Sequence, residues 1–239
     1  KHHVWIIQAE KDEYSTMAET MGERGKVIRF TSLAEFEQRR PDRRVVGTNE
    51  VDDRLYVYRE GLLPAGAQLT VYDLTRMDPT DRGKAVAILL ETIERSASRN
   101  GYPQLGHVVI DELGIVLHDK TAALAIETAW RRFRSIPQWD NPKKISRRGM
   151  IGLSQRASDL LAPAAGQTAK VIADLSPTKV YLRMESTELD GIEKKLSLTQ
   201  ADREYLENGE EGDAILVAGR ARICLRMNAD SCEDEIART

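Results

Sequence analysis

The run His107-Val108-Val109-Ile110-Asp111-Glu112 constrains the chain more than any other. Three consecutive branched apolar residues suit a strand covered on both faces, the environment of a parallel sheet flanked by helices. The run ends in two adjacent carboxylates. In an open α/β sheet the carboxyl ends of the strands face the ligand. There an Asp can hold the water shell of a Mg²⁺ bridging two phosphates, and the next Glu can orient or deprotonate an attacking water. The pattern points to a nucleotide hydrolase. The plainer alternative is a core strand ending in two solvated acids, and the run alone does not separate the two.

Other segments supply the rest of such a sheet. Val4 to Ile7, Lys26 to Phe30, Leu69 to Leu74 and Met150 to Leu153 read as further strands. Helices alternate with them. Tyr14 to Glu19 reads as a short one. Asp78-Pro79-Thr80-Asp81 reads as a helix start, with Asp78 as cap and Pro79 at the first helical position. Val86, Leu89, Leu90, Ile93 and Ala97 then share one face. A further helix begins near Asp119, with Ala122, Ala125, Ile126, Ala129, Phe133 and Ile136 as its buried stripe. This alternation predicts an α/β fold with a mostly parallel central sheet and helices on both faces. Beyond it come a helical stretch over 159–173 broken at 163–166, a strand over Lys179 to Met184, and a helix capped by Thr199 and Asp202. A terminal β-hairpin turns at Gly219-Arg220. The expected organisation is one domain over 1–239, with an irregular insertion at 31–66 and a helix-and-hairpin appendage at 196–239.

With 239 residues, 41% of them hydrophobic and 31% charged, the chain has material for one good core and a small satellite. A formal net charge of −3 excludes a global basic field for nucleic acid or an anionic membrane. No apolar run approaches the roughly 18 residues of a membrane span, and no signal-peptide pattern is read. Cys224 and Cys232 match no zinc spacing and read as reduced thiols of a cytosolic protein. Arg39, Arg40, Arg43 and Arg44 around Pro41 read as a solvated basic turn.

The strand at Met150 to Leu153 ends in Ser154-Gln155. A polar side chain there, on the strand beside the Asp-Glu strand, can touch a γ-phosphate or its water. Such a site calls for a loop of the form G-x-x-x-x-G-K-[ST]. The sequence does not contain it. Gly22-Glu23-Arg24-Gly25-Lys26 has the wrong glycine spacing and is followed by Val27, and Arg82-Gly83-Lys84-Ala85 fails in the same way. The expectation is that the phosphate loop lies upstream of Lys1.

In order along the chain, these features resemble the C-terminal ATPase domain of the VirB-four/TraC family, the large ATPases of conjugation and type IV secretion. Val4 to Tyr14 looks like the strand and Glu-Tyr turn that follow the family's phosphate-loop helix. Val108 to Glu112 is similar to its Walker B strand, and Trp130 to Arg134 to its arginine-bearing helix. Gly152-Leu153-Ser154-Gln155, with Ser158 to Leu161, is similar to its Thr-Gln motif, and the tail from Leu196 to Val217 to its closing helix and hairpin. Gln8-Ala9 stand where the family often has Asp, and Ser154 where it has Thr.

The resemblance implies a RecA-like P-loop NTPase fold, with ATP and Mg²⁺ as ligands. Asp111 would hold the metal, Glu112 would activate water, and Gln155 would sense the γ-phosphate. Arg134, or else Arg131 or Arg183, would reach a neighbouring subunit's site. It further implies a homo-oligomeric, hexameric ring. The ring would meet other secretion-system subunits at the cytoplasmic face of the inner membrane. Two alternatives stay open at this point. One is a DNA translocase of FtsK/HerA type, contacting DNA through the basic stretch Arg131 to Arg148. The other is a scaffold that has lost its phosphate loop.

Overall fold

The structure is a computed structural model that describes residues 2–35, 63, 67–96, 105–133, 147–156, 159, 166–190 and 198–227. The chain divides into two compact units, Lys1–Leu153 and Ser154–Thr239.

The first unit is built on a five-stranded, wholly parallel sheet. Its strands are β1 (His2–Gln8), β2 (Gly25–Arg29), β3 (Leu69–Asp73), β4 (Leu105–Ile110) and β5 (Arg147–Gly152). Their order is β2-β3-β1-β4-β5. His2 and His3 are strand residues, paired with Leu105 and Gly106. The helices are α1 (Ser15–Thr20), α2 (Pro79–Ser96), α3 (Leu113–Val116) and α4 (Lys120–Arg132), with a 3-10 turn at Gly22–Arg24.

Parallel register sends paired residues to the same face. Val4, Ile6, Val27, Leu69, Val71 and Val109 therefore gather under α1, around Ala18, Tyr14 and Met17. Trp5, Ile7, Val108 and Ile110 point the other way. On that side the Trp130 ring of α4 approaches Gly152, and α2 packs against α4. Helices thus cover both faces, as the alternation predicts. The described parts of the stripes also match, with Ala125 half-buried and Ala97 and Ile136 outside the described residues. Val86, Leu89, Leu90 and Ile93 of α2 and Ala122, Ile126 and Ala129 of α4 are buried, as is Phe133 just beyond α4. Burying each such large side chain contributes about 1.5–3 kcal/mol. Asp78 Oδ1 accepts from Thr80 N–H at 2.9 Å, and Asp119 Oδ1 from Ala122 N–H at 2.8 Å. Both helix starts are set by the acids the sequence singles out. The short helix α3, directly after Glu112, is an addition the sequence does not announce.

The second unit holds α5 (Gly166–Leu175), β6 (Thr178–Leu182), α6 (Gln200–Asn208), β7 (Asp213–Ala218) and β8 (Ala221–Arg226). The expected hairpin is β7–β8, and β6 extends it to an antiparallel sheet ordered β6-β7-β8. Tyr181, Leu189, Leu206 and Ile215 form its core. Thr199 and Asp202 make a reciprocal capping box for α6, with Thr199 N–H donating to Asp202 Oδ2 at 2.7 Å. The insertion expected at 31–66 lies almost wholly outside the described residues. Among the described residues no helix is long and apolar enough to cross a membrane.

Candidate active site

The carboxyl ends of the strands form a polar row. Arg29 of β2 pairs in register with Asp73 of β3, and Asp73 with Gln8 of β1. Asp111 follows β4 at the same level, its N–H bonded to Ile7 O at 3.0 Å.

Gln8 is fully buried and organises the loop after β1. Its Nε2 donates to Asp12 Oδ1 at 2.7 Å and to Ser15 Oγ at 3.4 Å, and its Oε1 accepts from Tyr14 N–H at 3.2 Å. Burial pushes the Asp12 carboxyl up. Hydrogen bonds from Ser15 and Gln8 and the charge of Arg29 outweigh that, so it lies below the usual range. Arg82 ties this loop to the one after β3. Its Nη1 donates to Glu10 at 2.8 Å, its Nη2 to Thr75 O at 2.9 Å and its Nε to Met77 O at 3.1 Å. Asp73 Oδ1 accepts from the Thr75 hydroxyl at 2.7 Å, and Oδ2 lies 3.6 Å from Arg29 Nε.

Asp111 and Glu112 are 6% and 4% exposed, so the two acids are not solvated loop residues. Burial lifts the Asp111 carboxyl to about 6, with the charges of Glu13 and Glu112 adding to it and Lys11 opposing. Tyr14 belongs to the same cluster. Burial, Asp111, Glu13 and Glu112 raise its phenol to about 12. Glu112 has φ 50 and ψ 46, and among the described residues it is the one non-glycine with positive φ. That left-handed backbone costs roughly 1–2 kcal/mol for a residue with a Cβ. Strain of this kind gathers at functional positions.

Of these acids, Asp111 is the one that could hold a Mg²⁺ ion. A carboxyl whose ionised form is disfavoured by burial and like charge gains from a nearby cation. Among the described residues no group of three or more His, Cys, Asp or Glu side chains could hold a metal alone. Mg²⁺ is commonly held by one or two carboxylates together with substrate phosphates.

Of the expected site residues, the structure brings Asp111 and Glu112 together. Gln155 and Arg183 are exposed and belong to the second unit. Arg134 and most of the basic stretch lie outside the described residues. Arg131 donates to Glu127 Oε1 from Nε at 3.2 Å and Nη2 at 2.9 Å, and Arg132 to Glu94 at 3.4 Å. Both arginines are thus engaged in surface ion pairs. Sequence reasoning names Glu13 and Tyr14 only as a turn of the resemblance, with no site role, and it missed the Gln8–Asp12–Ser15 network. The available signal was an unusual density of polar residues directly after a buried strand, Gln8 to Ser15.

The first unit is an α/β fold, a five-stranded parallel sheet with helices on both faces and an acid pair directly after β4. The chain resembles, in fold, the structure of VirB4 of Thermoanaerobacter pseudethanolicus. The two superpose with a TM-score of 0.67 at 18% identity, over 97% of this chain and 83% of that one. The genome packaging NTPase B204 of Sulfolobus turreted icosahedral virus 2, in complex with AMPPCP, matches at a TM-score of 0.49 and 10% identity. That match covers 96% of this chain and 99% of the other. No protein-family model matches the chain, and no curated protein matches it.

Proposed function

We propose that the chain is the nucleotide-hydrolysing part of a motor subunit of a conjugation or type IV secretion apparatus, working on ATP and Mg²⁺. One observation carries this reading. Asp111 and Glu112 are buried together at the carboxyl end of β4, in a fold shared with a VirB4 structure. Burying two adjacent acids is costly, and a triphosphate site is where that cost has a use.

In the proposed site Asp111 would hold Mg²⁺. The bound ion supplies charge neutralisation on the phosphate oxygens. Glu112 accepts a proton from, or orients, the attacking water. By the resemblance, Gln155 would contact the γ-phosphate or its water. Arg134, or Arg131 or Arg183 in its place, reaches a neighbouring copy's site. There it offsets charge developing on the transferred group, an effect of roughly 10³ to 10⁵ in rate where it operates. The proposed site needs a phosphate-binding loop in addition to these residues, and the working unit is a ring of copies, a hexamer by resemblance. The ring is proposed to act at the cytoplasmic face of the inner membrane through other subunits.

The test is Mg²⁺-dependent ATP hydrolysis by the full-length chain. The expected result is turnover that needs Mg²⁺ and that Asp111→Asn lowers at least about a hundredfold. Turnover unaffected by Asp111→Asn would remove the acid pair from the chemistry and leave a scaffold as the better description.

A further inference from the structure

We infer that a backbone clamp made by Leu153, with Gly152 beneath it, is the positioning element that aims Glu112 at its water. The inference rests on the hydrolytic role proposed for Glu112. Glu112 stands at the N-cap of α3 but makes no side-chain cap bond, so its carboxylate is not spent on the helix. The turn is held by main chain instead. Leu153 N–H donates to Ile110 O at 3.0 Å, and Leu153 O accepts from Leu113 N–H at 2.7 Å. One residue therefore grips the chain on both sides of the Asp111–Glu112 pair.

Side-chain packing seals the grip. Leu113 is 3% exposed and lies over Gly152. A Cβ built on Gly152 would fall 2.4 Å from Leu113 Cδ2 and 3.4 Å from the Trp130 ring. Any side chain at 152 must displace the Leu113 methyl, and Leu113 is the residue bonded directly to Glu112. A left-handed backbone points its Cα–Cβ bond differently from a helical or extended one, so the direction of the Glu112 carboxylate depends on the clamp holding. A displacement of about 1 Å at a reacting group is enough to cost two orders of magnitude in rate. Leu153 is also the last residue of the first unit, so the clamp sits where the chain leaves it.

Two sets of variants in the full-length chain test this. The first compares Glu112→Gly with Glu112→Ala by denaturant unfolding. In an ordinary helix or strand alanine is the more stable. At a left-handed position the order reverses, and the folded-to-unfolded ratio should favour glycine about five- to thirty-fold. The second is Gly152→Ala, expected to lower kcat for ATP about ten- to a hundredfold with KM unchanged. Leu113→Val in the same chain removes the carbon that the new methyl strikes and should restore part of the loss. A more stable alanine than glycine at 112, or a wild-type kcat in Gly152→Ala, overturns the clamp and leaves the hydrolytic reading standing. A wild-type chain that hydrolyses no ATP overturns the reading beneath it, while the glycine-alanine ranking still reports on the backbone.

Discussion

In the first unit Asp111 is carried up to about 6, by burial first and then by Glu13 and Glu112. In the second unit Asp213 is carried down to about 2, by Arg226 first and then by the Glu210 N–H. Both are buried aspartates at strand termini. Asp213 accepts from Arg226 Nε at 2.8 Å and Nη2 at 3.1 Å. Its neighbour in kind, Asp202, accepts from the Thr199 N–H and from Arg222. Among the described residues, the second unit answers each buried acid with a guanidinium and a backbone donor. At Asp111 a backbone donor is present at Glu112, but the charges acting on it are those of two acids, Glu13 and Glu112, opposed by the more exposed Lys11. Compensated acids hold a fold together. An acid kept in like-charged company is one that a bound cation would relieve.

The largest stability effect that sharpens this contrast is at Asp111. A group whose folded value is raised stabilises the fold fully below its unfolded value of 3.8, and that contribution is lost as pH rises through about 6. Asp111→Asn should therefore raise stability at pH 8 by about 1–2 kcal/mol. The gain should vanish near pH 3.5. Equal midpoints at pH 8, by urea unfolding at the two pH values, would break the comparison.

Thr199→Ala comes next. It removes the hydroxyl that accepts from Asp202 N–H at 3.2 Å, and should cost about 1 kcal/mol. The loss should show as faster hydrogen exchange in α6, with β4 unaffected. A uniform change across both units would show that their acids are not separate cases. The narrowest effect is at Asp213, whose depressed value has the opposite sign. Its pairing stabilises above the ordinary carboxylate value and is lost as pH falls through about 2. Asp213→Asn should lower the unfolding midpoint at pH 7 and converge on the wild type toward pH 2. A constant difference down to pH 2 would remove the ion pair as the cause.

Much of this was legible because local chemistry fixed it. The β4 run, the Asp78 and Asp119 caps and the Thr199–Asp202 box each depend on a few adjacent residues, and the structure realises them where the pattern predicts. The approach of Glu13 and Tyr14 to Asp111 was not legible, because the pairing of β1 with β4 creates it. Nor was the left-handed Glu112. A glutamate carries no signal for positive φ, and the conformation is set by hydrogen bonds to a strand far along the chain. The third strand of the second sheet was visible as a strand, but its partner was not, since alternation in β6 does not name the neighbour it pairs with.

The central claim is that the acids ending β4 are a hydrolytic pair rather than a buried accident of the sheet. It is tested most directly by Glu112→Gln in the full-length chain, with Mg²⁺–ATP binding and turnover measured on the same preparation. The account expects nucleotide affinity close to wild type and turnover lower by at least about a hundredfold, the scale of losing a general base. Wild-type turnover in that variant would contradict it.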